Sequence, residues 1–178
     1  MPTPRHTLFF SATLSRDIEK LIHEFLTDPV RIPVKTGETA ENVDQDVVRV
    51  RRDQNKVDVL HDLLSHDEFN KVVVFGRTKH GVEKLSRTLS ARGIKAESIH
   101  GNKSHSQRQR ALAKFKDSHA TVLVATDVAA RGLDIPDVSH VINYELPATY
   151  NDYIHRMGKT GRSNKKGVAL TFVEHYGA

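Results

Sequence analysis

Short apolar runs rich in β-branched residues alternate along this chain with longer stretches of helical periodicity. Three of the runs are almost wholly apolar, and they cover residues 72–75, 122–125 and 141–144. Strands of this kind are buried on both faces, which is the normal situation in a parallel sheet covered by helices. Residues 47–52 mix polar and apolar side chains like an edge strand, and residues 96–100 and 168–173 are weaker strand candidates. The pattern predicts an open α/β domain with five or six strands.

Between the predicted strands, apolar residues recur at the spacing of amphipathic helices. The three sets are Val57, Leu60, Leu63 and Leu64; Val82, Leu85 and Leu89, followed by Gly93; and Leu112 with Phe115. Ser104 and Thr149 stand at the start of helical segments with the spacing of a capping box or nearly so, and Thr78 stands where a strand should pass into a helix. The caps therefore agree with the periodicity.

The first quarter of the chain does not follow this alternation. Residues 7–11 predict a strand, and the apolar residues between 18 and 25 predict an amphipathic helix opened by Ser15, but residues 36–46 are polar and acidic. A single strand and helix cannot bury both of their sides. We therefore expect residues 1–27 to be the C-terminal remnant of another domain, residues 28–45 to be a linker and residues 46–178 to be the main domain.

Composition excludes several classes of protein. The 178 residues include no cysteine, which excludes a disulfide scaffold and cysteine-ligated metal sites. A net charge of +5 is compatible with an anionic partner but does not require one. The 11 histidines show no metal-ligand spacing, so we expect this chain alone to hold no metal. Without an apolar run that could span a membrane or the features of a signal peptide, we expect a cytoplasmic protein with no membrane partner.

Three loops that follow predicted strands share the same chemistry. Residues 76–81, 100–104 and 126–134 each combine glycine, a hydroxyl residue and a cation. This combination suits phosphate, because backbone N–H groups can approach, hydroxyls donate and cations neutralise charge. One such loop alone is better explained as an ordinary turn or cap. Since the carboxyl ends of parallel strands lie at one edge of a sheet, three together favour binding of a nucleic-acid backbone.

Residues 155–162 concentrate cations in a loop after a predicted helix. The run Gly158-Lys159-Thr160 resembles the end of a nucleotide-binding glycine loop, but that motif requires glycine where Tyr153 stands and a preceding strand. A solvated basic loop is the alternative. Arginine on such a loop favours a different role, which is to stabilise charge on a phosphoryl group bound by another domain.

Taken together, these segments resemble the motifs of the DEAD-box RNA helicases in both order and spacing. The matching segments are Ser11-Ala12-Thr13, Val74 to Lys79, His100 to Lys103, Ala125 to Pro136, Val141 to Tyr144 and His155 to Arg162. Residues 77–81 and 100–104 are most similar to the bacterial RhlE-type subgroup. The resemblance implies a RecA-like C-terminal domain, an open parallel sheet with helices on both faces. The Ser-Ala-Thr segment then corresponds to the coupling motif that ends the first RecA-like domain.

The resemblance also implies roles for individual residues. Arg162 corresponds to the arginine finger, His155 to the residue that links the ATP state to the other domain, and Asp134 to a contact with the ATP ribose. Lys159 stands where the family usually has a second phosphate-facing arginine, and lysine lacks the two-pronged donor geometry, so slower hydrolysis is expected. The residues implied in interdomain coupling are Ser11, Thr13 and Arg131. Those implied in RNA phosphate contacts are Arg77, Thr78, Lys79, Gly101, Arg108 and Thr126. His105 replaces a common glutamine and receives no role.

The chain contains neither the glycine-rich phosphate loop nor an Asp-Glu-Ala-Asp motif. The pair Asp67-Glu68 stands in a helix-to-strand loop and is interpreted as a surface pair. We therefore expect ATP and Mg²⁺ to be held mainly by an N-terminal RecA-like domain, and we expect this chain alone to be inactive as an ATPase.

Two hypotheses of function follow from the sequence. In the first, the chain is the C-terminal part of an ATP-dependent RNA helicase. It binds the backbone of single-stranded or short duplex RNA and supplies the arginine finger for ATP hydrolysis and local unwinding. In the second, it is a free-standing RNA-binding module. The presence of His155, Arg162 and Asp134 argues against the second hypothesis, because a pure RNA binder has no need of a γ-phosphate contact.

Overall fold

The computed structural model describes residues 5–11, 16–32, 42–162 and 165–174, and the chain divides into two compact units, Met1–Thr36 and Gly37–Ala178. In the first unit, helix α1 spans Arg16–Phe25 as predicted and buries Ile22. The strand predicted at residues 7–11 is wrong, since these residues are exposed and have no regular structure. A strand needs a neighbour to pair its backbone groups, and the described part of this unit contains none.

Part of what the sequence predicts lies outside the described residues. This applies to Thr13 of the coupling motif, to Ser15 as the cap of α1 and to residues 33–41 of the predicted linker. The boundaries predicted for the three segments of the chain therefore stay predictions, apart from the start of the sheet.

The described residues of the second unit form one sheet of six parallel strands. The strands are β1 Val43–Val50, β2 Val72–Phe75, β3 Ala96–Ile99, β4 Val122–Ala125, β5 His140–Asn143 and β6 Gly167–Glu174. Their order across the sheet is β1-β6-β5-β2-β4-β3, which places β1 and β3 at its edges. The predicted open parallel sheet is confirmed, and the mixed run near residue 47 is indeed an edge strand.

Strand β1 begins inside the segment that the sequence predicts as a linker. It pairs in register with β6, from Val43 opposite Gly167 to Val50 opposite Glu174. Its residues 44–46 are polar and exposed, and an edge strand tolerates such residues because only one of its sides is paired. The sheet therefore starts at residue 43 rather than at residue 46.

Helices cover both faces of the sheet. Helices α2 Lys56–Leu64 and α3 Lys79–Ala91 lie on one face, and α4 His105–Lys116, α5 Asp127–Ala130 and α6 Tyr150–Met157 lie on the other. Strand β2 shows how one short strand supplies both cores, since Val72 and Val74 pack with Leu89 while Val73 and Phe75 face the opposite cluster. No helix in the described ranges is long and apolar enough to cross a membrane.

The predicted helix caps are confirmed. The Ser104 hydroxyl accepts a hydrogen bond from the backbone N–H of Gln107, whose side chain accepts from the Ser104 N–H in return. Thr78 caps α3 and Thr149 caps α6, each hydroxyl accepting from the N–H three residues later at 3.0 and 3.1 Å. Each cap contributes about 1 kcal/mol. The caps fix where these helices begin.

The loop after α6 packs closely against the start of β1. Gly161 has a φ of +67°, and a Cβ atom there would lie 2.7 Å from Cγ2 of Val43 and 3.2 Å from the carbonyl oxygen of Asn42. The buried hydroxyl of Thr160 donates to the carbonyl oxygen of Val138, just before β5, at 2.5 Å. The loop therefore lies beside the amino-terminal ends of β1 and β5.

We predict that Gly161→Ala destabilises the domain more than Gly93→Ala does. Gly93 also has a positive φ, +91°, but nothing lies within 4 Å of the position of its absent Cβ. Both variants incur left-handed backbone strain of about 1–2 kcal/mol. Overpacking adds about 1–3 kcal/mol at Gly161 only. Urea denaturation measures both losses, and equal losses would contradict the close packing of this loop.

Candidate functional site

The three loops with phosphate chemistry lie side by side at the carboxyl edge of the sheet. They follow β2, β4 and β3, which are neighbours in the strand order. The Gly76 N–H donates to the Ala125 carbonyl at 3.0 Å, and the Thr126 N–H donates to the Ile99 carbonyl at 3.3 Å. Each of these bonds joins the start of a loop to the end of the adjacent strand. The three loops therefore form one continuous edge, as the sequence predicts.

Lys79 connects two of these loops. Its ammonium donates to the side-chain oxygen of Asn102 at 3.0 Å, which ties the first turn of α3 to the loop after β3. Arg77, Thr78 and Gly101 are exposed at the same edge. Four of the predicted RNA contacts thus lie on surface that a polyanion can reach.

Arg108 and Thr126, the other two predicted RNA contacts, are more enclosed. Thr126 is buried at the end of β4, and Arg108 is half-buried on α4. Within the described residues, Nε of Arg108 and Nδ1 of His100 are buried nitrogen atoms without a hydrogen-bond partner. A buried donor without a partner costs free energy, so the Arg108 guanidinium retains unused donor capacity at this edge.

Glu83 on α3 accepts hydrogen bonds from the polar and charged side chains around it. Its carboxylate accepts hydrogen bonds from Ser98 at 2.6 Å, His100 at 3.1 Å and Arg87 at 3.0 Å, and Lys103 lies 3.5 Å away. The bonds from Ser98 and His100 lower the pKa of Glu83 to about 2. The carboxylate is therefore ionised, and since it can only accept, His100 donates through Nε2.

Glu145, which follows β5, shapes the loop after β2. Its carboxylate accepts a hydrogen bond from the backbone N–H of Arg77. A Cβ at Gly76 would lie 2.9 Å from Cγ2 of Val82 and 3.4 Å from this carboxylate. The glycine thus makes room for Val82 of α3, beside the carboxylate that holds the backbone of a predicted RNA loop.

Arg156 is a buried cation directly behind this edge, with 1% of its surface exposed. Its Nε and Nη2 donate to the two carboxylate oxygens of Asp127 at 2.7 and 2.8 Å. Its Nη1 donates to the Asn143 side chain at 3.1 Å and to the Glu145 carbonyl at 2.7 Å. The guanidinium also lies 4.9 Å from the ring centre of Phe75. One side chain of α6 therefore joins the ends of β2, β4 and β5.

The predicted nucleotide-binding residues meet at a second place, beside the loop after α6. Arg162 pairs through Nη1 with the carboxylate of Asp134 at 2.9 Å and donates through Nε to the Gly158 carbonyl at 2.7 Å. Lys159 donates through Nζ to the Leu133 carbonyl at 2.9 Å. Burial lowers the pKa of Lys159, the nearby Arg162 lowers it further, and Asp134 opposes the shift. We call Asp134, Lys159 and Arg162 the nucleotide cluster.

The nucleotide cluster has the donor set for a nucleotide but not for a metal ion. The Arg162 guanidinium suits phosphate oxygens, and the exposed Asp134 carboxylate suits a ribose hydroxyl. No group of three His, Asp or Glu side chains in the described residues is placed to hold a metal ion. The described residues of the nucleotide cluster therefore suit a nucleotide, and the described part of the chain offers no group of carboxylates for Mg²⁺.

The predicted coupling residues have different environments. Arg131 donates to the carboxylate of Asp152 at 2.6 Å, and Thr149 donates to the same carboxylate at 2.8 Å, which ties the end of α5 to α6. The bond from Thr149 is the main cause of a lowered pKa at Asp152. His155 is half-buried in the last turn of α6, and Ser11 is exposed in the first unit.

Comparison with known proteins identifies the family to which these motifs belong. The family model of the helicase conserved C-terminal domain matches residues 55–164. The ATP-dependent RNA helicase CshA of Limosilactobacillus reuteri is 45% identical over 97% of this chain and 35% of its own length. The crystal structure of the E. coli DEAD-box protein SrmB bound to RraA superposes with a TM-score of 0.70 at 38% identity, over 74% of this chain and 78% of that chain. The chain belongs to the DEAD-box helicases.

This chain carries the helicase C-terminal domain and spans about a third of the length of the curated relatives that it matches. The structure of S. cerevisiae Dbp5 bound to RNA and ADP BeF3 has a TM-score of 0.79 at 30% identity, over 98% of this chain and 46% of that chain. The predicted C-terminal RecA-like fold is thereby confirmed. The curated relatives are named CshA, and the RhlE-type subgroup stays a prediction.

Sequence reasoning about this helicase domain missed the residues that organise the site. Arg156 and Asp127 stand inside the recognised motifs, but nothing in the sequence distinguishes the buried arginine from the exposed cations beside it. Asn143 and Glu145, at the end of β5, were missed for the same reason, since nothing in the sequence shows that they lie beside a buried arginine. The available signal was weak: a polar residue at the end of an apolar strand requires a partner when it is buried.

We predict that Arg156→Met destabilises the domain far more than Arg131→Met. Both arginines pair with an aspartate, but Arg156 is buried, whereas 58% of the Arg131 side chain is exposed. Breaking a buried pair costs about 3–5 kcal/mol. Breaking an exposed pair costs about 1 kcal/mol or less. Urea denaturation of the two matched variants measures both, and similar losses would mean that Arg156 does not organise the carboxyl edge.

Proposed function

We propose that this chain is the C-terminal part of an ATP-dependent RNA helicase that separates short duplexes locally. It binds the RNA backbone at the carboxyl edge and supplies Arg162 as the arginine finger to ATP held by an N-terminal RecA-like domain. The observation that carries this proposal is that Arg162 pairs with Asp134, the last residue of the loop after β4, and that Lys159 donates to the carbonyl of the residue before it. The names of the CshA relatives, which are ATP-dependent RNA helicases, support it.

ATP chemistry in this proposal depends on the exchange of one ion pair. Arg162 is paired with Asp134, and both side chains are accessible to solvent. When a nucleotide is bound between the two domains, Asp134 accepts from a ribose hydroxyl and the guanidinium turns to the γ-phosphate. There its planar fork neutralises the charge that develops on the transferred group. ATP supplies the reactive phosphoryl group, while this chain supplies orientation and charge.

The proposal also assigns the binding of Mg²⁺ and the coupling between the two domains. We assign the binding of Mg²⁺ to the N-terminal domain, because this chain lacks a carboxylate cluster in its described residues. His155, Arg131, Ser11 and Thr13 are proposed to couple the two domains. The ion pair of Arg131 with Asp152 fixes this arginine at the end of α5 and so links the loop after β4 to α6.

RNA recognition in this proposal is independent of sequence. The six predicted contacts are backbone groups, hydroxyls and cations, which neutralise and orient phosphates but do not read base edges. A chain that carries only these contacts should bind single-stranded RNA or a short duplex weakly and lose affinity with salt. Similarity to Dbp5, whose structure holds bound RNA, supports this assignment.

Two finer assignments are also proposals. We propose the RhlE-type subgroup on the similarity of residues 77–81 and 100–104, and a cytoplasmic location on the absence of cysteine, which suits a reducing compartment. The second candidate function, a free-standing RNA-binding module, would use the carboxyl edge alone. The pairing of Arg162 with Asp134 favours the helicase, because none of the six predicted RNA contacts takes part in it.

The decisive experiment measures ATP hydrolysis by this chain, alone and mixed with a separately made ATP-binding domain of a CshA relative. We expect no activity from the chain alone and RNA-dependent activity from the mixture. In the mixture, Arg162→Ala should lower kcat by about 10³-fold or more, because an arginine finger contributes about 10³–10⁵ to the rate. Arg49→Ala, at an exposed position on β1, is the matched control and should leave kcat unchanged. Strong activity from the chain alone would overturn the proposal.

A second experiment measures RNA affinity of the chain against salt concentration. Lys79→Gln should weaken binding and reduce the slope of log K against log salt by about 0.7, the value for one contact to single-stranded nucleic acid. Lys84→Gln, on the same helix but outside the loops, should change the slope much less. Salt-independent binding, or equal effects of the two variants, would contradict the predicted RNA edge.

A further inference from the structure

Lys159 faces the protein backbone. Its ammonium is half-buried and donates at 2.9 Å to the carbonyl oxygen of Leu133, in the peptide group that joins Leu133 to Asp134. Within the described residues, this ammonium is the only hydrogen-bond donor to that carbonyl. A charged donor forms a stronger hydrogen bond than a neutral one, so the lysine fixes the orientation of this peptide group.

The segment around Asp134 depends on few other anchors. Ile135 is buried in the core and Leu133 packs partly against it, whereas the Asp134 side chain is 88% exposed. Gly132 has a φ of +72°, so the chain turns just before this segment. The apolar neighbours hold the segment on the domain, and the lysine sets the direction of the peptide that precedes the Asp134 carboxylate.

Arg162 and Lys159 therefore differ in how easily each can leave its present partner. Arg162 pairs with an exposed carboxylate, which a nucleotide can replace at small cost. Lys159 donates from a half-buried position, where burial lowers the pKa of its ammonium. Withdrawing it from the Leu133 carbonyl would leave a partly desolvated peptide oxygen without a donor.

We infer that Lys159 is a positioning residue, which fixes the Leu133–Asp134 peptide so that Asp134 can accept from a nucleotide ribose hydroxyl, and that it does not contact the phosphates. The inference rests on the proposed role of Asp134 in nucleotide binding. The inference gives different roles to two cations of the same loop. Arg162 contacts the phosphates, whereas Lys159 supports the contact of Asp134 with the sugar.

The first test needs no nucleotide and uses the chain as it is. Lys159→Met removes the donor at similar length, while Lys159→Gln keeps a neutral donor. Amide hydrogen exchange should become at least about tenfold faster in residues 132–137 in the Met variant and less so in the Gln variant, because opening of this segment loses a charge-assisted hydrogen bond. Exchange in β2 and β4 serves as the internal control and should not change. Unchanged exchange of the segment in both variants would overturn the inference.

The second test compares ATP with 2′-deoxy-ATP and 3′-deoxy-ATP in the mixture with the ATP-binding domain. Lys159→Met should raise KM for ATP by about tenfold, as expected for loss of one hydrogen bond to a charged group, with little change in kcat. For the analogue that lacks the hydroxyl contacted by Asp134, the variant should match the unsubstituted chain. Asp134→Asn is the reference variant and should show the same dependence on the sugar.

The opposite outcome is equally clear. If Lys159 contacts phosphates, Lys159→Met lowers kcat or raises KM by the same factor for all three nucleotides, and Lys159→Gln is no better than Lys159→Met. That result would overturn the inference and leave the proposed helicase function intact. If the mixture of unsubstituted domains shows no hydrolysis, the proposed function fails, and the exchange experiment still decides whether Lys159 fixes the segment.

Discussion

The buried guanidinium of Arg156 is the interaction on which the carboxyl edge of this domain depends. A buried cation is tolerated only when its donors are satisfied, and Asp127, Asn143 and the Glu145 carbonyl satisfy them. Each partner stands at the end of a strand or in the loop that follows it. The ring of Phe75 completes the site from β2. Two of the three loops predicted to bind RNA, those after β2 and β4, are therefore joined to the end of β5 through this guanidinium.

The same helix also determines where the nucleotide cluster lies. Helix α6 places Arg156 at the carboxyl edge and then continues into the loop of Lys159 and Arg162, which is locked by Thr160 and Gly161 beside the amino-terminal ends of the strands. At the carboxyl edge, Glu145 connects this helix to the loop after β2, since its carbonyl accepts from Arg156 while its carboxylate accepts from the backbone N–H of Arg77. Two candidate ligand surfaces are thus linked through one helix of eight residues.

Sequence patterns predicted the interior of the sheet better than its margins. Strands β2 and β4 occupy the residues that apolar runs predict, because a strand buried on both faces has no polar position to obscure it. The start of β1 was missed because an edge strand accommodates polar residues. The strand at residues 7–11 was predicted from local preference, but a strand forms only with a partner. The nucleotide cluster was predicted from motif resemblance, and the structure brings its three members together.

The sequence by itself determined the family, the parallel α/β architecture, the capped helices and the set of residues that carry charge. These depend on local pattern and on the spacing of motifs along the chain. Only the tertiary structure decided which of the neighbouring cations forms a buried ion pair, which pairs with an exposed carboxylate and which donates to a backbone carbonyl. Arg156, Lys159 and Arg162 stand within seven residues of one another, yet their partners come from segments before and after β5. Burial and pairing depend on those distant segments, so a local sequence pattern cannot predict them.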